Sequence, residues 1–155
     1  TMTVSRLLPA GWQLHSTVDD GGSEIVVSRV ARDGVGDPTD VQLSRLDTVT
    51  GERRSLNEGL PPDAWNWLLD AKGEPRLVAA EKGNQIRIHW RAPGATAWEQ
   101  IAQFERFKDG NWWPWFVEPD GTVIVTGRLG RDTSALYRLD PGTRQVDRRQ
   151  PLLAV

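Results

Sequence analysis

Apolar and polar residues alternate along this chain in short bursts, and turn-forming residues separate the bursts at a nearly constant pitch. Residues 12–18 alternate, run into Asp19-Asp20-Gly21-Gly22 and resume at 24–30. An Asp-Gly step between alternating segments predicts a hairpin, because glycine supplies the positive φ of a tight turn. The polar stretch 32–38 leads to a third strand at 41–47, and Thr48-Val49-Thr50-Gly51 turns into a fourth at 52–56. The same order then returns as 65–69, 76–81, 86–91 and 98–102, punctuated by Asp70-Ala71-Lys72-Gly73, Gly83-Asn84 and Pro93-Gly94. A third pass reads 113–117, 122–128, 135–139 and 144–148, with turns at Pro119-Asp120-Gly121, Gly130-Arg131-Asp132 and Pro141-Gly142. No segment carries the 3.6-residue period of an amphipathic helix.

The passes repeat one another. Asp20, Asp70 and Asp120 recur at intervals of 50 residues, each in the turn after a first strand. The end of the third strand reads Ser44-Arg45-Leu46-Asp47 in the first pass and Tyr137-Arg138-Leu139-Asp140 in the third, with His89-Trp90-Arg91-Ala92 as the weaker middle version. A period of 40 to 50 residues with four strands per unit is the pattern of propeller blades. The predicted fold is all-β: about three four-stranded antiparallel blades of an incomplete β-propeller, at roughly 10–57, 63–103 and 112–150, in one 1–155 segment. A single blade cannot cover both of its faces, so blades stack. Three fall short of the four to eight in a closed ring. The isolated chain is therefore expected to self-associate through open blade faces and strand edges.

Composition narrows the chemistry. The chain has 155 residues, no cysteine, two histidines (His15 and His89) and a net charge of -2. Disulfides, thiolate metal sites and cysteine nucleophiles are excluded, and so is a multi-histidine cage. No basic field exists to track a phosphate backbone, which argues against nucleic acid. No apolar run is long enough to span a bilayer as a helix, and residues 1–6 lead into no signal-peptide core, leaving a cytoplasmic or a periplasmic location open. Asp19, Asp20 and Glu24 lack the Asp-x-Asp-x-Asp-Gly order of a calcium loop. No Ser-x-Asp-x-Gly-x-x-Trp box and no blade-closing Trp-Asp dipeptide occurs. No metal or cofactor is expected.

The segments 70–76 (Asp-Ala-Lys-Gly-Glu-Pro-Arg) and 130–138 (Gly-Arg-Asp-Thr-Ser-Ala-Leu-Tyr-Arg), with the tail 149–155, resemble the propeller part of bacterial prolyl oligopeptidase-family serine peptidases. The resemblance spans most of 40–155. It implies a propeller joined to an α/β-hydrolase domain, with the propeller restricting which peptides reach the active site. The chain departs from that pattern in having no Gly-x-Ser-x-Gly elbow. The expected function is thus a non-catalytic gating segment, with the hydrolase domain as partner and a peptide as possible substrate. The alternative is a free-standing module that binds a protein or a glycan.

Two groups are candidates for contact. Trp112-Trp113-Pro114-Trp115-Phe116 is the densest aromatic cluster, and regular alternation would put Trp113 and Trp115 on one face with Trp112 and Phe116 on the other. Those rings either form a platform for a peptide, sugar or protein or fill the space between blades, as the matching Trp65 and Trp67 suggest. Arg76, Arg128 and Arg131 either line a channel and hold a carboxylate or pair with turn carbonyls and nearby acids, among them Asp120 and Asp132. No catalytic residue is assigned.

Overall fold

The turns and alternating runs become three four-stranded meanders in the computed structural model, which describes residues 8–148 and 152–154. The first sheet holds β1 (Gln13–Thr17), β2 (Glu24–Arg32), β3 (Pro38–Asp47) and β4 (Arg53–Ser55). The second holds β5 (Ala64–Leu69), β6 (Pro75–Lys82), β7 (Gln85–Trp90) and β8 (Glu99–Glu105). The third holds β9 (Trp112–Val117), β10 (Val123–Gly127), β11 (Ala135–Asp140) and β12 (Gln145–Val146), and β13 (Leu153–Ala154) also pairs with β11. Within each sheet the four consecutive strands pair antiparallel with their neighbours in sequence, and no helix occurs among the described residues.

The repeated aspartates build the first hairpin of each sheet. Asp20 Oδ1 accepts from Gly22 N at 2.8 Å, Asp70 Oδ1 from Lys72 N at 2.9 Å, and Asp120 Oδ1 from Thr122 N at 2.9 Å. Each is a local side-chain turn of the kind that makes aspartate a turn residue. Gly21, Gly73 and Gly121 follow at φ 71°, 72° and 90°, where a side chain would be strained. Asp47 and Asp140 repeat the device between third and fourth strands, accepting from Val49 N at 2.7 Å and Gly142 N at 2.8 Å.

The sheets stack face to face in chain order, which makes two seams. Val26, Leu43, Leu56, Ala64, Trp67 and Val78 form the core between the first and second sheets. A larger core lies between the second and third and includes Leu77, Ile88, Trp112, Val125, Tyr137 and Leu139. Burying each such aliphatic side chain stabilises by about 1.5–3 kcal/mol. The middle sheet is covered on both faces, as a blade must be.

Two expectations are corrected. The aromatic run does not alternate, because a β-bulge in β9 interrupts it: Pro114 stands opposite Val125 and Phe116 opposite Ile124, leaving Trp115 as the extra residue. Proline lacks the N–H that a regular ladder needs there. The last strand of the third sheet is not a continuous 144–148 segment either. Gln145–Val146 pairs with Asp140 and Leu139, and Leu153–Ala154 returns to pair with Leu136 and Ala135.

Candidate functional site

Charged side chains gather where the first seam meets the strand-end loops. Arg45 leaves β3, is buried, and donates to Glu24 Oε2 at 2.6 Å, to Glu74 Oε1 at 3.2 Å and to the Lys72 carbonyl. The last two partners lie in the β5–β6 hairpin, so this one guanidinium ties the first sheet to the second. Gly73 permits the approach: a Cβ there would stand 2.8 Å from Val18 Cγ2 and 3.3 Å from Arg45 Nη2. Asp19 N donates to the Ala71 carbonyl at 3.2 Å beside it.

Next to this tie opens a cleft of about 570 Å3, walled by Glu58 and Gly59 of the 56–63 linker and by Gly94, Ala95 and Thr96 of the β7–β8 loop. Arg76 and Arg91, with Glu74, make its floor. Arg76 Nε donates to Asp70 Oδ2 at 2.8 Å and its Nη1 to the Ala92 carbonyl at 3.3 Å. Arg91 Nη2 donates to the Pro75 carbonyl at 3.0 Å, and its guanidinium lies over the Trp98 ring at 5.0 Å. Burial first, and then the positive charge of Arg76, pull the Arg91 guanidinium below its ordinary value, while Glu74 and Asp70 oppose the shift. Arg91 Nε is buried without a hydrogen-bond partner among the described residues. The floor thus sets two guanidiniums beside two carboxylates, Arg76 paired with Asp70 at 2.8 Å and Arg91 Nη2 3.9 Å from Glu74 Oε2.

The structure separates the sequence candidates. Arg76 reaches this cleft, and its acid is Asp70, not Asp120 or Asp132, because Asp70 opens the turn that Arg76 closes. Arg128 and Arg131 lie exposed in the β10–β11 loop, where the Arg128 carbonyl accepts from Tyr137 Oη at 3.4 Å and from Arg131 N at 3.0 Å. They do not converge with Arg76. Trp112 is buried, with its ring edge-on to Phe104 at 5.1 Å, so it fills the second seam and offers no platform. Trp113 is half-buried, whereas Trp115 at the bulge is 58% exposed and Phe116 beside it 40%. Trp67 packs against Trp98 at 5.9 Å and donates from Nε1 to the Val41 carbonyl at 2.9 Å across the first seam.

Sequence reasoning passed over Arg45 and Arg91. Each stands in the repeated segment at the end of a third strand, which was the available signal, but two of the three partners of Arg45, Lys72 and Glu74, come from the following sheet. His15 is held below its ordinary value by burial, and His89 by burial and then by Arg87. Asp47, Asp120 and Asp140 are held low chiefly by the backbone N–H groups they accept from. Among the described residues no cluster of His, Asp and Glu is arranged to hold a metal ion.

The sheets define a class: three four-stranded antiparallel blades stacked in sequence order, an arc of a β-propeller. No family model and no curated protein matches the chain. Among solved structures it is similar to TolB from Acinetobacter baumannii, at 18% identity and a TM-score of 0.46. That match covers 78% of this chain and 28% of the other, so this chain spans little more than a quarter of that protein's length. The blade architecture rests on the sheets themselves.

Proposed function

We propose that this chain is a non-catalytic propeller segment that governs which peptides reach a hydrolase domain carried by the same protein, in the manner of prolyl oligopeptidase-like peptidases. The observation that supports it most is the cleft over Arg76 and Arg91, which presents a peptide with a strand-end surface of both charges, the two arginines beside Asp70 and Glu74. The ionisable groups around it cap turns or tie blades, so the surface selects by shape and charge. The test is the continuous reading frame that encodes this chain. An α/β-hydrolase domain with its serine, aspartate and histidine in the same frame is the expected result, and a frame without one overturns the reading.

One observation favours a second reading, a module that binds a protein or glycan partner. Trp115 and Phe116 stand exposed side by side at the β9 bulge. An oligosaccharide or protein that binds the purified chain and loses at least about tenfold affinity on Trp115→Ala would establish it, since exposed aromatic anchors dominate such contacts.

A further inference from the structure

The first strand of every blade carries the same irregularity. His15 in β1, Trp65 in β5 and Trp115 in β9 are each the extra residue of a β-bulge, unpaired between Leu14 and Ser16, Ala64 and Asn66, and Pro114 and Phe116. Their spacing is that of the turn aspartates. A bulge re-aims a side chain out of the alternation that fills a sheet face. β1, β5 and β9 are edge strands of their sheets, on the same edge of each blade, and β9 packs against β5. The extra residues therefore form a row across the blades, at a pitch set by the spacing of stacked sheets, about 10 Å.

The eight tryptophans of the chain show what that row lacks. Trp67 and Trp98 pack in the first core, and Trp90, Trp112 and Trp113 in the second. Trp12 lies between the guanidiniums of Arg29 and Arg53, at 5.0 and 4.2 Å from its ring. Trp65 and Trp115 are in neither core. Among the described residues they have no ring, guanidinium or hydrogen-bond partner. Trp65 stands in the middle blade, whose two faces are both covered, yet it is only half-buried. Its lack of a partner is thus a property of the bulge and not of an uncovered blade.

Charge indicates what the row accepts. Residues 12–20, 63–71 and 111–121, the three first strands and their turns, contain no lysine or arginine. They contain Asp19, Asp20, Asp63, Asp70, Glu118 and Asp120. Asp63 pairs with Arg87 and Asp70 with Arg76, and the charge of Arg138 acts on Asp120. Asp19, Asp20 and Glu118 are in no ion pair among the described residues. Burial holds His15 below its ordinary value, so it adds no positive charge at neutral pH. An indole face attracts a cation, as Trp12 already does within this chain.

We propose that this row is a track for one extended, positively charged peptide segment, with arginine or lysine side chains lying over Trp65 and Trp115. The inference rests on the peptide-selecting reading above for the kind of ligand, and it names the class of peptide. Three residues of extended chain cover about 10 Å, so basic residues at every third position match the pitch of the row.

The probe is a nonapeptide of three Arg-Gly-Ser repeats with blocked termini, titrated into the purified chain at physiological salt and followed by calorimetry. A control peptide of the same composition carries its three arginines together at one end. The spaced peptide is expected to bind at least about fivefold more tightly than the clustered one. Trp65→Leu and Trp115→Leu each remove an indole that belongs to neither core, so both keep the wild-type circular dichroism. Each is expected to weaken binding of the spaced peptide at least about threefold. Equal binding of the two peptides would mark attraction to net charge alone and overturns the proposal. So do leucine variants that bind as wild type does, and a wild-type chain that binds neither peptide. Cellohexaose, or a peptide of three Glu-Gly-Ser repeats, that binds the wild type and is lost in Trp65→Leu would assign the row to a glycan or an acidic peptide and overturns it too. The titration needs no hydrolase domain, so its failure is separate from that of the reading-frame test.

Discussion

The two seams occupy the same place in a repeated backbone and are made of different chemistry. Between the first and second blades, the third-strand position facing forward holds Arg45, which joins Glu24, Glu74 and a hairpin carbonyl beside a small apolar core. Between the second and third blades, that position holds Trp90, and it joins a larger core that includes Tyr137, Trp112, Phe104 and Ile101. A propeller blade fixes where contact occurs and leaves open how it is made. The first seam is oriented by charge-assisted hydrogen bonds, which are sensitive to geometry and to solvent. The second is held by area and close packing, which resist loss of any single polar bond but respond strongly to lost volume.

The largest effect is expected in the second seam. Tyr137→Ala opens a cavity in a fully covered site and should destabilise the fold by about 3–5 kcal/mol, read from urea unfolding. A loss below about 1 kcal/mol would contradict the packing assigned to that seam. In the first seam, Arg45→Ala should cost about 2 kcal/mol. Removing a buried partner costs more than that when the acids are enclosed, but the Glu24 and Glu74 side chains are 37% and 36% exposed and water can take them up. Arg45→Met should lose less than the alanine variant because it keeps the aliphatic packing.

A finer comparison concerns the two hairpins behind the seams. Gly73 and Gly121 both have positive φ, but a Cβ at Gly73 meets Val18 Cγ2 at 2.8 Å whereas none of the surroundings of Gly121 comes within 4 Å. Gly73→Ala should therefore be the more destabilising, by about 1–3 kcal/mol of added crowding, and equal losses would show that the hairpins are not pressed together there. The smallest effect is a pH dependence. His15 and His89 have their folded pKa values lowered by burial, so the unfolded chain takes up protons first, near its ordinary 6.5. Stability is then complete above that value and declines as pH falls below it. Urea midpoints should drop between pH 7.5 and 5.5, and His89→Gln should flatten the slope. An unchanged slope would mean that His89 is not desolvated at the first seam.

Much of the scaffold was legible in the sequence because propeller contacts are local. Asp20, Asp70 and Asp120 cap turns two residues away, so spacing alone identified the hairpins and, through them, the three passes. The site was less legible. Arg45 and Arg138 open the same Arg-Leu-Asp triplet, yet one is buried against the following hairpin and the other is exposed. What distinguishes them is a partner 27 to 29 residues further on. Alternation failed at Trp112 to Phe116 because Pro114 interrupts the ladder and the bulge at Trp115 shifts every later side chain. Arg76 was found by its Pro-Arg context, while Arg91, its neighbour on the cleft floor, comes from across the sheet.

The most direct test of the two-seam account is hydrogen exchange, peptide by peptide, in the Arg45→Ala chain. Cutting the polar seam should release the first blade as a unit, with protection lost across residues 13–55 and kept across 64–146. Protection lost evenly through all three blades, or first in the third, would contradict it.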